Sequence, residues 1–362
     1  MELFLSFFER QEVILMDQRI AAVVLAAGDG KRMKSARSKV CCELLCKPML
    51  SWVLDACARF GLDTRHICAV ISGRDDGVRE LLPREMPVAL QTERLGTGHA
   101  VQTATPFLTD MRADGVTDVC VLYGDVPFLD DRSLRQALEK HRATGNAATV
   151  LTAELEDAAG YGRIVRGGDT VEIVEAADAT PAQLAINEVN SGIYWFSLDY
   201  LLEALPRLRN DNVQREYYLT DLIGMTKEAG RAAGAYLCDN TDSVLGANDR
   251  RQLAALNETA RRRVLDRHWA AGVDIPCADG VLIGPDVEIG RDTRIFPGCI
   301  LMGKTRIGSG CVIGPATQIW NASVGDGAVI DSSRVEGVSI GSGCRIGPYA
   351  DLRPDCGAAR SQ

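Results

Sequence analysis

Between Gly280 and Leu352 the chain keeps a period of six. Ile283, Ile289, Ile295, Leu301, Ile307, Ile313 and Ile319 fall in strict phase, and after one-residue slips the series continues through Val324, Ile330, Val335, Ile340, Ile346 and Leu352. Glycine follows the aliphatic residue at Gly284, Gly290, Gly308 and Gly314. One inward aliphatic per flat side, three sides to a turn, is the pattern of a left-handed parallel β-helix. The span predicts about four coils. A β-sandwich with regular turns is the competing reading.

The first two-thirds has a different texture. "IAAVVLAA" (Ile20–Ala27) is a continuous apolar run, as in a strand buried on both faces. Further strands are predicted at His66–Ser72, Pro87–Gln91 and Asp118–Asp125. Helices are predicted over Pro48–Phe60, near Gly98–Phe107 and over Ser133–Arg142. Repeated β-α-β units imply a parallel sheet with ligands at the carboxyl ends of its strands. "LAAG" and "LYGD" are both strand ends and are therefore expected on one rim. From Asn248 to Gly272 a helix is expected to bury Leu253, Leu256, Ala260, Val264 and Leu265 and to connect the two parts.

The loop after the first strand, "GDGKRMKSARSK", concentrates cations at Lys31, Arg32, Lys34, Arg37 and Lys39 in a chain of net charge −9. It lacks the third glycine of a dinucleotide fingerprint and the spacing of a P-loop. A turn whose backbone N–H groups and cations face a nucleoside triphosphate fits it, and a merely solvated basic loop is the alternative. Gln91, at a strand end, carries an amide able to read a base edge. Gly96 and Gly98 would leave room for the base, and Thr97 would add a hydroxyl. Asp125 ends a strand on the same rim, where a carboxylate beside phosphates calls for a bridging cation such as Mg²⁺. A structural helix cap is the alternative for Asp125, and Asn248 by itself reads as a helix N-cap.

The acidic balance argues against nucleic acid or anionic membrane as the main partner. The longest early apolar run is too short to span a bilayer, and the first sixteen residues lack a basic leader and a cleavage site. Twelve scattered cysteines form no C-x-x-C pair. They read as buried small apolar residues in a reducing cytosol rather than as metal or redox groups.

"LAAGDGKRM…SKV", "QTERLGTGHAV", "LYGDVP", "GYGRIVR", "IVEAADAT", "NEVNSGIY" and "NDNVQREYYLTD", followed by the hexapeptide repeat, occur in the order found in one family. Over roughly residues 19–354 the chain resembles the sugar-phosphate nucleotidyltransferases. Within them it resembles the bacterial bifunctional N-acetylglucosamine-1-phosphate uridyltransferase/glucosamine-1-phosphate acetyltransferases. The resemblance implies a Rossmann-like α/β nucleotidyltransferase domain, a helical connector and a short left-handed β-helix. The expected limits are an extension over 1–18, the nucleotidyltransferase over 19–248, the connector over 249–279, the β-helix over 280–354 and a tail over 355–362.

It also implies roles. Leu25, Ala27, Gly28, Gln91, Gly96 and Thr97 would hold the uridine nucleotide, and Arg32 and Lys39 the triphosphate and departing pyrophosphate. Asp125 and Asn248 would bind catalytic Mg²⁺. Gly162, Glu175 and Asn190 would hold the acetylated sugar, with Tyr123 and Gly124 nearby. The implied reaction joins UTP and N-acetylglucosamine 1-phosphate into UDP-N-acetylglucosamine, for cell-wall and lipopolysaccharide precursors, in the cytoplasm. Another hexose phosphate or nucleotide, or a catalytically silent regulatory subunit, are the alternatives.

Several positions depart from the family pattern. Lys31 stands where threonine is usual. Ser38 replaces a proline, a change expected to loosen the loop holding Lys39. Ala176-Ala177 replaces a segment that often carries lysine, which puts one sugar-phosphate contact in question, and Arg215 replaces the usual glycine before "EYYLTD". Of the acetyltransferase residues only Arg353 has a match, so acetyl transfer is expected to be absent. A homotrimer through the β-helix is implied by the resemblance but weakened by the short repeat. Met16 is an alternative start, which would make residues 1–15 dispensable.

Overall fold

The computed structural model describes residues 19–28, 30–35, 37–74, 76–167 and 170–354, without the side chains of Lys31 and Thr170. The expected extension over 1–18, the tail over 355–362 and the Lys31 side chain lie outside the described residues. Two compact units result. Among the described residues, one takes those up to Cys42 together with Met49–Asp249, and the other takes Glu43–Pro48 and those from Arg250 to Pro354.

The first unit is built on a nine-stranded sheet. Its strands are β1 (Ile20–Leu25), β2 (Ile67–Ser72), β3 (Val88–Gln91), β4 (Asp118–Tyr123), β5 (Ala148–Glu154), β6 (Arg163–Gly167), β7 (Thr170–Val174), β8 (Glu188–Ser197) and β9 (Ala233–Leu237). The main path runs β9-β5-β8-β4-β1-β2-β3, with β6 pairing β8 and β7. Strands β1 to β4 are parallel, as the β-α-β reading requires. The sheet as a whole is mixed, because β8 runs antiparallel to both β4 and β5. Continuous apolar runs are explained by burial on both faces: every residue of β2 is buried, and β1 is buried up to its last residue.

Helices α1 (Met49–Phe60), α2 (Thr97–Thr103), α3 (Thr105–Ala113), α4 (Asp131–Ala143), α5 (Leu198–Ala204) and α6 (Asp221–Glu228) belong to the same unit. The expected helix near Gly98–Phe107 is two helices, broken at Ala104 ahead of Pro106, whose ring has no N–H to continue the ladder. Pro48 lies in a short strand rather than in α1. Asp130, not Asp125, caps α4, its carboxylate accepting from Ser133 N at 2.8 Å.

The second unit begins with α7 (Arg250–Ala270), whose buried face is Leu253, Leu256, Ala260, Val264, Leu265 and His268. Asn257 ties α7 to the Glu43–Pro48 hairpin by accepting from Leu45 N at 3.0 Å. The left-handed parallel β-helix follows as three stacks of five, four and four short parallel strands. Leu282 pairs with Ile300, Glu288 with Arg306 and Arg294 with Val312, a spacing of three hexapeptides. The predicted slips appear as shorter coils, with Arg306 opposite Ser323 and Gln318 opposite Arg334. The phased aliphatics fill the interior from Ile283 to Val335.

A second inward column, two residues before each aliphatic from Ile295 to Val335, carries small side chains: Thr293, Cys299, Thr305, Cys311, Thr317, Ala322, Ala328 and Ser333. The threonine hydroxyls there donate to backbone carbonyls, Thr305 to Met302 O and Thr293 to Gly308 O, each at 2.7 Å. The glycines after the aliphatics serve close approach: a Cβ on Gly290 would lie 2.6 Å from the Gly308 carbonyl carbon.

No helix among the described residues is long and apolar enough to cross a membrane. The eleven described cysteines are unpaired. Eight are buried as expected, whereas Cys46, Cys277 and Cys344 are exposed. Burial pushes the Cys57 and Cys68 thiols up to about 12, which leaves them inert.

Candidate active site

In the order β3-β2-β1-β4 the chain winds outward in both directions from β1, so the crevice at the carboxyl ends of β1 and β4 is the place where such a sheet binds ligands. Leu25 pairs with Tyr123 in register, and Gly124 N donates to Leu25 O at 2.9 Å. "LAAG" and "LYGD" therefore share one rim, as the sequence predicts.

The basic loop leaves this rim and returns to it. Ser38 Oγ donates to Gly28 O at 3.3 Å and Ser38 N to Asp76 O at 3.2 Å. Ser38 is buried and holds φ at −54°, within the range that proline fixes. Serine thus keeps the backbone angle and adds two hydrogen bonds. Gly30, not Gly28, is where the turn needs glycine. Its φ is +56°, and a Cβ there would lie 2.5 Å from Lys39 Cβ, while one on Gly28 would meet nothing within 4 Å.

Lys39 is delivered between two oxygen acceptors. Its Nζ forms an ion pair with Asp125 and donates to Asn248 Oδ1 at 3.1 Å. Asp125 follows β4, and Asn248 precedes α7, which begins at Arg250. Asn248 is thus drawn to Lys39 through its side chain. Arg32, in the Lys31–Met33 turn, is exposed and has no side-chain partner among the described residues. Ala27 is buried beside the rim and Gly28 is exposed.

Gln91, Gly96 and Thr97 are brought together at the end of β3. Gln91 Nε2 donates to Gly96 O at 3.0 Å and lies 3.2 Å from His99 Nδ1. The space beside Gly96 and Gly98 belongs to the chain itself: a Cβ on Gly96 would lie 2.5 Å from Tyr217 O, and one on Gly98 2.9 Å from the same atom. These glycines admit the 216–219 segment of the chain. Gly98 N donates to Tyr217 O and Tyr217 N to Leu95 O, each at 2.7 Å, while Thr97 Oγ1 accepts from Leu219 N at 3.1 Å.

Gly162, Glu175 and Asn190 meet on the other side of β4. Asn190 N donates to Gly162 O at 2.9 Å, and a Cβ on Gly162 would touch Glu175 Oε2 at 3.5 Å. β8 bulges after Asn190, whose Oδ1 accepts from Gly192 N at 3.0 Å and whose Nδ2 donates to Tyr194 OH at 2.7 Å. Gly192, at φ +78°, makes room for the Tyr123 ring.

Burial pushes the Glu175 carboxyl up, aided by Asp178, Asp221 and Glu216 and opposed by the Thr220 hydroxyl, which donates to it at 3.2 Å. Burial also pushes Asp221 up to about 6, with Asp178 adding to it. Burial, then the Glu175 carboxylate, raises the Tyr123 phenol well beyond its ordinary range, so Tyr123 stays a neutral hydroxyl. His99, Gly192 and Thr220 were not singled out from the sequence, although each lies inside a quoted motif, and Gly30 stood out only as a glycine of the basic loop.

No group of three or more His, Cys, Asp or Glu able to hold a metal occurs among the described residues. Asp125 and Asn248 offer one carboxylate and one amide oxygen, with a cationic nitrogen already between them. Two hard oxygens suit Mg²⁺, which takes its remaining ligands from water and phosphates.

Residues 22–271 match the MobA-like NTP transferase domain, and residues 286–319 match the bacterial transferase hexapeptide with six repeats. A protein of Exiguobacterium sibiricum described as bifunctional protein GlmU is 44% identical, over 92% of this chain and 73% of its own. Its namesake in Cutibacterium acnes is 41% identical, over 92% of this chain and 81% of its own. Among solved structures, a Bacillus anthracis protein provisionally described as a glucose-1-phosphate thymidylyltransferase, in complex with a sucrose, superposes with a TM-score of 0.52. It is 16% identical and covers 67% of this chain and 95% of its own, a likeness of fold.

Proposed function

Since this chain belongs to the family of the bifunctional GlmU proteins and is a sugar-phosphate nucleotidyltransferase, we propose that it transfers uridylyl from UTP to N-acetylglucosamine 1-phosphate. The products are UDP-N-acetylglucosamine and pyrophosphate. One observation carries the reading: Lys39 joined at once to Asp125 and Asn248 on the rim of the crevice. Three segments far apart in sequence meet there around a positive charge, which is what a site for polyanions needs.

The sugar phosphate oxygen attacks the α-phosphorus of UTP in line, and pyrophosphate departs. No protein nucleophile is required; the residues position two anions and neutralise them. Lys39 meets the triphosphate as a point charge, and Arg32 offers a planar fork from the exposed turn. Gln91 holds the base, with Leu25, Ala27, Gly28, Gly96 and Thr97 supplying backbone and hydroxyl contacts. Glu175 accepts from sugar hydroxyls, while Asn190 and Gly162 shape the pocket beside Tyr123 and Gly124. Asp125 and Asn248 would hold Mg²⁺, which when bound neutralises charge shared by the phosphates.

The described coils contain no histidine to act as a base for acetyl transfer, and Arg353 is engaged by Asp351 at 2.6 and 2.8 Å. Acetyl transfer is therefore not proposed for residues 280–354. The test is pyrophosphate release from UTP and N-acetylglucosamine 1-phosphate with Mg²⁺, run beside other nucleotides and hexose phosphates. Release with this pair above all others supports the reading; no release overturns it.

A further inference from the structure

We infer that His99 is a specificity-determining residue, which fixes the Gln91 amide so that only its carbonyl oxygen faces the base and uracil is favoured over cytosine. The inference deepens the proposed function and rests on its reading of Gln91 as the base contact.

The argument starts from an acceptor whose identity is not in question. Gly96 O is a backbone carbonyl and lies 3.0 Å from Gln91 Nε2, so the nitrogen of the amide is the atom on that side. The same nitrogen lies 3.2 Å from His99 Nδ1. An amide NH₂ has two hydrogens and no acceptor site, so Nδ1 must be the lone-pair nitrogen and the ring proton sits on Nε2. Both hydrogens of the Gln91 amide are then used within the chain. Among the described residues no group donates a hydrogen bond to Gln91 Oε1, and it is absent from the buried atoms left without a partner. It is the one group of this otherwise buried side chain that remains to meet a ligand.

A lone acceptor discriminates between the two pyrimidines. Uracil presents N3–H, a donor, to Oε1. Cytosine presents the N3 lone pair, which opposes it. Without His99 one amide hydrogen is released, and the amide is free to turn and offer N–H to cytosine. The imidazole is itself held, its ring 6.3 Å from that of Tyr217, whose backbone bonds Leu95 and Gly98. Thus the GTGH segment that opens α2, the glycines that admit Tyr217 and the base-reading amide form one assembly.

The experiment compares kcat/KM for UTP and CTP, with N-acetylglucosamine 1-phosphate and Mg²⁺, in the parent chain and in His99→Phe, His99→Asn and Gln91→Ala. Phenylalanine keeps a ring against Tyr217 but removes the acceptor; asparagine restores an acceptor close to the Nδ1 position. His99→Phe is expected to lower the UTP/CTP ratio by about tenfold, at the scale of one base-edge contact, and His99→Asn to keep it. His99→Leu replaces the phenylalanine variant if that one fails to fold, and equilibrium binding of the two nucleotides replaces turnover where turnover is too slow. An unchanged ratio in His99→Phe with a lowered one in Gln91→Ala overturns the role of His99 alone. An unchanged ratio in both overturns the base-reading role of Gln91 as well.

Discussion

Lys39 Nζ donates to Asn248 Oδ1 across 3.1 Å, joining residues more than two hundred positions apart, and the same nitrogen pairs with Asp125. If the two oxygens serve a cation and the nitrogen serves the phosphates, Asp125→Asn removes the charge that recruits both. Pyrophosphate release is expected to fall by on the order of 10²-fold or more, with a weaker apparent Mg²⁺ affinity. Near-parental rates at saturating Mg²⁺ would show that Asp125 does not hold the metal.

The turn that carries Lys39 gives a second outcome. Gly30→Ala places a Cβ in the left-handed region, at a cost of about 1–2 kcal/mol, and drives it into the Lys39 Cβ. Activity should fall along with stability. Gly28→Ala meets open space and should leave the thermal midpoint within error of the parent. Equal midpoints for the two variants would contradict this account of the loop.

Arg215 stands at φ +55° with its side chain exposed, and its N–H bonds Asn212 O at 3.1 Å. A glycine there relieves the strained angle but loses more chain entropy on folding. The balance favours Arg215→Gly by on the order of 0.5 kcal/mol, read as a higher unfolding midpoint of the nucleotidyltransferase unit. Arg215→Ala keeps the angle and should gain nothing.

Much of this was legible in the sequence, for reasons that differ by element. The β-helix was legible because each Ile or Leu at the sixth position has one place to go, the interior. Its second column was not, since Thr, Cys, Ala and Ser are chemically unlike and share only small size. β1 and β4 were legible as apolar runs, and their common rim followed from parallel pairing. β8 was not, because direction leaves no mark on composition. At the site, Asp125 and Lys39 announce themselves by charge. Gly96 and Gly98 were legible as points of close approach, but a glycine does not say what comes close; the Tyr217 backbone does so here. His99 carries no signal in one sequence beyond its place in the first turn of α2.

His268 sets a pH dependence for the helix and β-helix unit. The residue is 4% exposed, its Nε2 has no partner among the described residues, and burial, then Arg267, pushes its pKa down to about 4 from 6.5. Between those values the unfolded chain holds the proton and the folded chain does not. Stability is therefore present above pH 6.5 and lost as pH falls through 4. The loss is on the order of 2 kcal/mol. His268→Leu removes this contribution while leaving the carboxylates untouched. Unfolding midpoints at neutral pH and near pH 4 should drop less in the variant than in the parent. Parallel drops would mean that His268 is solvated.

Gly192→Ala tests which substrate the Asn190 bulge serves. At φ +78° it already occupies a conformation costly for other residues, and a Cβ would sit 2.5 Å from Tyr123 Cδ2. The ring cannot yield freely, since Tyr194 is fully buried 6.4 Å behind it and is itself tied to Asn190. Gly192→Ala therefore moves the Tyr123 ring and the bulge that aims Asn190. If Asn190, Glu175 and Gly162 hold the acetylated sugar, KM for N-acetylglucosamine 1-phosphate should rise by about tenfold, as for the loss of one good polar contact, while KM for UTP changes much less. A matching rise in both constants would place Tyr123 on the nucleotide side of the crevice and detach the bulge from sugar recognition.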